Sequence, residues 1–197
     1  MGLVGLLDDV SQHCTMAFKD EGDVIFLIGE SAAELGGSEW LKTEHEMVAG
    51  KPPALDLELE AAVQEAVLDG IARAIVKSAH DCSEGGIAVT LAECCIAGGI
   101  GAELALDDDL APVASLFGET QSRIVVTVAE SDADALVDLC LAHEVPYSIL
   151  GTVGGGRLTI EDKIDADVEE LRLAWEPTLE CLVRGEEEFQ SEELREG

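Results

Sequence analysis

The sequence predicts an α+β fold, a layered α/β domain in which helices cover a mixed sheet. Helices and strands alternate along the chain, yet several predicted strands follow one another directly, which a purely parallel sheet does not allow. Of the 197 residues, 47% are hydrophobic and 27% are charged, so a sizeable core is available. This length fits one large domain, or one domain with a short attachment.

The spacing of the apolar residues predicts each element in turn. An uninterrupted apolar run that ends at glycine predicts a buried strand over 23–29. Apolar residues at four-residue steps predict a helix over 57–79. Shorter amphipathic patterns predict helices at 87–97, 132–143 and 167–175. Further strands are predicted at 101–106, 122–129, 148–153 and 157–160.

The two ends of the chain are expected to lie outside the core. A short strand is expected over 4–10, and 12–19 is interpreted as a polar connector without a packing partner. The last residues are strongly charged and carry few apolar groups, which predicts a frayed acidic tail over 185–197. One domain over 23–184 is therefore expected.

The charge excludes two classes of partner. With 42 acidic and 11 basic side chains, the formal net charge is −31. Such a chain cannot neutralise a nucleic-acid backbone, and basic residues do not hold it on anionic lipid. No apolar run approaches the roughly 20 residues of a membrane helix, and the first residues lack the basic region of a secretory signal. Either adaptation to a salty cytoplasm or an ordinary acidic surface explains the acidity.

The six cysteines favour a reducing compartment, and so a cytoplasmic location. No two of them form a C-x-x-C pair, and no Cys/His cluster has the spacing of zinc ligands. Cys94 and Cys95 lie in an apolar helical pattern, where small buried side chains are expected.

The most informative motif is AHDCSEGG, which starts at residue 79. Asp81 or Ser83 can cap a helix that begins here, and Asp81 with Glu84 has the spacing of a capping box. Capping does not account for Gly85 and Gly86, because glycine within a helix costs about 1 kcal/mol relative to alanine. Paired glycines favour the close approach of another backbone or of a ligand. Capping and ligand approach stay open as equal alternatives.

A second polar block, ETQSR, separates two apolar segments. Gln121 offers a donor and an acceptor suited to an amide or a sugar hydroxyl, and Arg123 can pair with Glu119 or a phosphate. The alternative is a strand end whose polar groups, Thr120 included, satisfy one another.

A third candidate is the loop that contains Gly36, Gly37 and Ser38. Its backbone N–H groups can cradle an anion, but the same composition is typical of an ordinary turn. All three motifs are expected to converge on one face, because each presents a permissive backbone or an amide at the end of an element.

Taken in order, these motifs resemble the formylglycinamidine ribonucleotide synthetases. The stretches that carry the likeness are GGSE from Gly36, AHDxSEGGIAV from Ala79 and ETQSR from Glu119. ILGTV, from Ile149, is similar to a strand and turn of the wider aminoimidazole ribonucleotide synthetase superfamily. EELRxxW, from Glu169, is similar to the family's C-terminal end. The likeness therefore spans about 4–182.

The resemblance implies a reaction and a place in a larger subunit. Family members are the ATP-dependent synthetase subunit of phosphoribosylformylglycinamidine synthase, a ligase of purine biosynthesis in which ATP activates a formyl amide oxygen and ammonia displaces phosphate. The subunit is a tandem of two pairs of N-type and C-type domains. This chain resembles the second C-type domain, so 1–22 is expected to be the remnant of an N-type domain and a connector. The implied partners are that N-type domain, a glutaminase subunit and a small accessory subunit.

The resemblance assigns no catalytic and no metal-binding residue here, because the family's principal nucleotide and Mg²⁺ motifs and its catalytic histidine lie on other domains. ATP and Mg²⁺ are cofactors of the full-length subunit, and the chain alone is expected to be inactive and to hold no cofactor. In the first C-type domain of such enzymes the corresponding motif touches substrate, and Thr120 and Gln121 are its repeat counterpart here. The resemblance implies that they serve a nucleotide site, and leaves open whether that site is active or only structural. The candidates for ligand-binding or cleft-lining roles are Gly36, Gly37, Ser38, Asp81, Ser83, Gly85, Gly86, Glu119, Thr120, Gln121 and Arg123.

Two other hypotheses stay open. The chain is alternatively a stand-alone acidic binding or assembly module without catalysis, and a longer reading frame upstream of Met1 would argue against that. It is alternatively the C-type domain of another superfamily member, such as a selenophosphate synthetase or a hydrogenase maturation protein. The block from Glu119 to Arg123 argues against this last hypothesis.

Overall fold

The computed structural model describes residues 5–7, 9–106 and 109–175. Its strands are β1 (Val24–Ile28), β2 (Val76–Asp81), β3 (Ala102–Leu104), β4 (Ile124–Val128), β5 (Tyr147–Val153), β6 (Arg157–Ile160) and β7 (Ile164–Asp167). Its helices are α1 (Glu39–His45), α2 (Leu57–Ala72), α3 (Gly86–Gly98), α4 (Pro112–Phe117), α5 (Ala133–Ala142) and α6 (168–175). The strands form one sheet in the order β2-β4-β1-β5-β3-β6-β7. Neighbouring strands are antiparallel except β3 and β6, so the predicted mixed sheet is confirmed.

Helices cover both faces of the central strands. Ile25 and Leu27 of β1 belong to a hydrophobic cluster with α3 and α4, whereas Phe26 and Ile28 belong to a second cluster with α2 and α5. A strand buried on both faces needs apolar side chains at successive positions, which explains the uninterrupted run. Within the described ranges, no helix combines the length and the apolar character that crossing a membrane requires.

The helix predicted over 57–79 is shorter than predicted. α2 ends at Ala72, and β2 begins four residues later at Val76. Ile71 and Ile75 continue the four-residue spacing of the helix, so the sequence pattern did not reveal β2. Residues 76–81 instead pair with β4, which gives their backbone groups partners along the ladder.

Three short elements were missed, and one predicted strand was wrong. α1, α4 and β7 have between four and seven residues, too few for a periodic pattern to emerge. Of the strand expected over 4–10, the described residues 5–7 and 9 are in no strand, and Val10–Gln12 is a 3-10 turn. The acidic tail predicted over 185–197 lies outside the described residues.

The polar stretch before β1 packs on the domain, so its interpretation as a connector without a packing partner was wrong. Phe18 is 2% exposed and belongs to the cluster on the α3 face, and its N–H donates to a carbonyl oxygen of α3 at 3.2 Å. Lys77 Nζ lies 2.6 Å from a carboxylate oxygen of both Asp20 and Asp23. These contacts hold the segment against β2 and α3.

Salt is expected to stabilise this chain more than it stabilises a typical domain. The net charge of −31 places like charges close together, and salt screens their repulsion over a Debye length of about 8–10 Å. The melting temperature should therefore rise between low and molar KCl in thermal denaturation. A flat melting temperature would favour the ordinary acidic surface over salt adaptation.

Candidate functional site

The three motifs meet at one end of the sheet, where the carboxylate of Glu119 joins them. Glu119 Oε1 accepts hydrogen bonds from the backbone N–H groups of Gly85 and Glu39, both at 2.9 Å. Gly85 is the N-cap of α3, and Glu39 is the first residue of α1, directly after the GGS loop. Residues separated by 34 and 80 positions along the chain are thereby held by one carboxylate oxygen.

The paired glycines allow close approach of this chain's own backbone. Gly85 and Gly86 have φ values of +81° and +64°, a conformation that glycine adopts at little cost. A Cβ on Gly86 would lie 2.6 Å from the carbonyl oxygen of Gly118 and 2.8 Å from that of Leu116. A side chain at Gly86 would therefore meet the connection between α4 and β4 before it met a ligand.

The predicted capping box was wrong. α3 begins at Gly86 and its N-cap, Gly85, makes no side-chain cap. Asp81 ends β2 instead, and its Oδ2 accepts a hydrogen bond from Ser83 Oγ at 2.7 Å. This bond is the main reason that the pKa of Asp81 lies below its ordinary value, with burial acting in the opposite direction and His80 adding to the lowering.

Replacing Ser83 with alanine should raise the pKa of Asp81 towards its ordinary value, because the hydroxyl that favours the carboxylate is gone. A lowered pKa stabilises the fold above the pKa of the unfolded chain, and that contribution is lost as the pH falls through the folded value. Carboxyl-carbon NMR titration measures the pKa directly. Ser148→Ala, at an exposed serine on β5, is the matched control. An unchanged Asp81 pKa in Ser83→Ala would contradict the assignment.

Arg123 is a structural side chain of the loop before β4. It is 2% exposed. Its Nε donates to the carbonyl oxygen of Thr120 at 2.9 Å, its Nη1 to Ser31 Oγ at 2.9 Å and its Nη2 to the carbonyl oxygen of Gly118 at 2.6 Å. The predicted pairing with a phosphate has no support in this geometry, because the guanidinium is directed into the fold.

Thr120 and Gln121 differ in exposure. Thr120 Oγ1 bonds to both backbone groups of Ala32, accepting from the N–H at 3.1 Å and donating to the carbonyl at 3.2 Å. Gln121 is exposed, and its Nε2 donates to the carbonyl oxygen of Glu119 at 3.1 Å. The alternative of mutually satisfied polar groups therefore fits Thr120, whereas Gln121 stands at the surface.

The GGS loop also approaches its own chain. A Cβ on Gly36 would lie 1.9 Å from the carbonyl oxygen of Lys51, and the N–H of Gly37 donates to Ala49 at 2.8 Å. Ser38 is the N-cap of α1. These contacts are those of an ordinary turn, which was the alternative to an anion-binding loop.

A polar cavity of about 300 Å³ lies beside these motifs. Two of its lining residues are bonded to each other, since Ser122 Oγ donates to Glu60 Oε2 at 2.6 Å. Carboxylates, amides and hydroxyls suit a ligand rich in hydrogen-bond donors, and the carboxylates disfavour a bare anion. The polar residues that line it are Glu60, Gln64, Asp81, Ser83, Gln121, Ser122 and Arg123. Glu60 and Gln64 were missed because they resemble the solvent face of α2.

The described residues contain no group of three or more His, Cys, Asp or Glu side chains that could hold a metal ion. Cys94 and Cys95 are buried as predicted, and burial raises the pKa of the Cys95 thiol to about 12. These thiols are therefore protonated and inert at neutral pH.

The family described as AIR synthase related protein, C-terminal domain, matches residues 20–163. The chain belongs to this family. Among curated relatives, phosphoribosylformylglycinamidine synthase subunit PurL of Thermobifida fusca is 47% identical over 92% of the chain, and that of Moorella thermoacetica is 44% identical over 93%. The chain spans about a quarter of the length of these relatives, 24% and 26% respectively.

Solved structures of other proteins share the fold. T. maritima PurL complexed with FGAR superimposes with a TM-score of 0.70 at 20% identity, covering 83% of this chain and 30% of that one. E. coli HypE, a hydrogenase maturation protein, gives a TM-score of 0.54 at 17% identity, covering 79% of this chain and 52% of that one. At these identities the likeness shows a common fold, which both kinds of protein share.

Proposed function

We propose that this chain is the C-terminal domain of an ATP-dependent ligase that converts formylglycinamide ribonucleotide to formylglycinamidine ribonucleotide in purine biosynthesis. The observation that carries the proposal is 42–47% identity, over most of the chain, to subunits named phosphoribosylformylglycinamidine synthase subunit PurL. In the proposed reaction the formyl amide oxygen takes the terminal phosphoryl group of ATP and ADP leaves. Ammonia then attacks the activated carbon, and phosphate leaves.

The proposed role of this domain is to form one wall of a nucleotide or substrate cleft against an N-type domain. Exposed Gln121 and the polar cavity beside Asp81 and Ser83 are the groups that would supply hydrogen bonds. Glu60 and Asp81 would face phosphate only with Mg²⁺ between them, since carboxylates repel a bare phosphate. In this proposal the whole ligase binds ATP and Mg²⁺. Gln121, Asp81 and Ser83 shape the cleft and perform no chemistry.

The proposed assembly includes a glutaminase subunit and a small accessory subunit. A structure of PurLQS from Thermotoga maritima supports a complex of this kind for that protein. A cytoplasmic location stays a prediction from cysteine usage. The division into 1–22, 23–184 and 185–197 also stays a prediction, although Phe18 packs in the core.

Titration of ADP with Mg²⁺ into this chain and into a longer protein that includes the N-type domains tests the proposal. The longer protein should bind ADP and turn over ATP with formylglycinamide ribonucleotide and ammonia. The chain alone should show neither amidation nor ATP hydrolysis, because the proposed ATP-binding and catalytic groups lie on other domains. Activity of the purified chain alone would contradict the domain assignment.

A further inference from the structure

α3 has no side-chain cap, and Glu119, from a distant part of the chain, binds the backbone N–H of its N-cap residue. A helix begins with N–H groups that have no partner inside the helix, and a nearby Ser, Thr, Asp or Asn usually accepts from them. At α3 the N-cap is Gly85, which has no side chain to do so. The Gly85 N–H donates instead to Glu119 Oε1 at 2.9 Å.

The same carboxylate oxygen also serves α1. It accepts from the N–H of Glu39 at 2.9 Å, although α1 already has Ser38 as its N-cap. Hydrogen bonds to an ionised acceptor are about twice as strong as neutral ones, and the positive end of a helix dipole adds to them. One charged group therefore restrains the starts of two helices relative to each other.

The backbone on which Glu119 stands is fixed on both sides. Its own N–H donates to the carbonyl oxygen of Glu34 at 3.0 Å. The preceding carbonyl, that of Gly118, accepts from Arg123 and is the atom that a side chain at Gly86 would meet first. The fold thus fixes the position of Glu119. Glu119 in turn fixes the positions of the GGS loop and of the start of α3.

We propose that Glu119 is a positioning residue, whose carboxylate fixes the distance between the GGS loop and the start of α3 without contacting a ligand. Its effect on ligand binding rests on the proposed function, because these two loops would border the proposed cleft. Glu119 was a ligand-contact candidate in the sequence. Its Oε1 is instead occupied by two backbone donors.

Hydrogen exchange measured by NMR on this chain tests the restraint itself. In Glu119→Ala the amides of Gly85 and Glu39 should exchange about tenfold faster or more, while amides of β1 and β4 keep their protection. Glu119→Gln retains an oxygen acceptor and should stay within about threefold of the parent. Glu130→Ala, at an exposed glutamate beyond the far end of β4, is the matched control and should change neither amide.

Unchanged exchange at Gly85 and Glu39 in Glu119→Ala would overturn the proposal. Uniform acceleration across the sheet would also overturn it, because Glu119 would then support the whole fold. Should the alanine variant fail to fold, the glutamine variant decides. Loss of the charge should shift the amide proton resonances of Gly85 and Glu39 more than those of other residues, and unshifted resonances would contradict the bond.

Kinetics of a longer, active protein test the consequence for the cleft. Glu119→Ala should raise KM about tenfold with kcat within about twofold, and Glu119→Gln should restore KM, as expected for lost binding alone. A fall in kcat at unchanged KM would make Glu119 a catalytic contact and overturn the positioning role. If the parent protein does not turn over, the proposed function fails, whereas the exchange result still decides the restraint.

Discussion

Arg123→Met should lower the free energy of unfolding by about 3–5 kcal/mol, because three hydrogen bonds from a buried charged donor are lost. The guanidinium donates to two carbonyl oxygens and one hydroxyl, and methionine leaves all three without that donor. A buried group left unsatisfied costs about 1–3 kcal/mol, which applies most fully to the Gly118 carbonyl, because the bonds to Thr120 and Ser31 are only partly buried. Arg123→Lys should lose most of the same stability, because one ammonium cannot reproduce the planar fork of donors.

Denaturant unfolding at fixed KCl measures this effect. Arg73→Met is the matched control, because Arg73 forms an i,i+4 pair with Asp69 on the surface. Surface pairs contribute about 0–1 kcal/mol, so the control should lose little. A loss below about 1 kcal/mol in Arg123→Met would contradict the structural role of this side chain.

Phe18→Ala should lower the free energy of unfolding by a similar amount, about 3–5 kcal/mol. The residue is 2% exposed and lies in the core cluster of α3, so its loss removes buried area and leaves a cavity. Val10→Ala is the control, since Val10 is 77% exposed and should change stability by less than about 0.5 kcal/mol. Equal and small losses in both variants would restore the interpretation of this stretch as a connector.

Strong local patterns made some elements predictable. β1, α3 and α5 have continuous or amphipathic apolar runs, and the structure places them within a few residues of the predicted bounds. β2 was hidden because Ile75 continues the helical spacing that Ile71 belongs to. Phe18 was missed because a lone aromatic residue in a polar stretch has no periodicity.

The candidate site was predictable in its parts and not in its connections. Paired glycines indicated a close approach, but the approaching backbone of Gly118 is 32 residues from Gly86, and no local pattern identifies it. The same holds for Glu119, whose two N–H donors come from loops far along the chain. Local sequence gives residue types at element ends, whereas tertiary packing decides which of them face each other.

The most direct test of the proposed function is a chimera in which this chain replaces the matching residues of the Thermobifida fusca relative, to which it is 47% identical. ADP formation that depends on both formylglycinamide ribonucleotide and ammonia is measured in KCl, with the relative lacking those residues as the negative control. The chimera should turn over, and the truncated control should not. A folded chimera that forms no ADP with all three substrates present would contradict the proposed function.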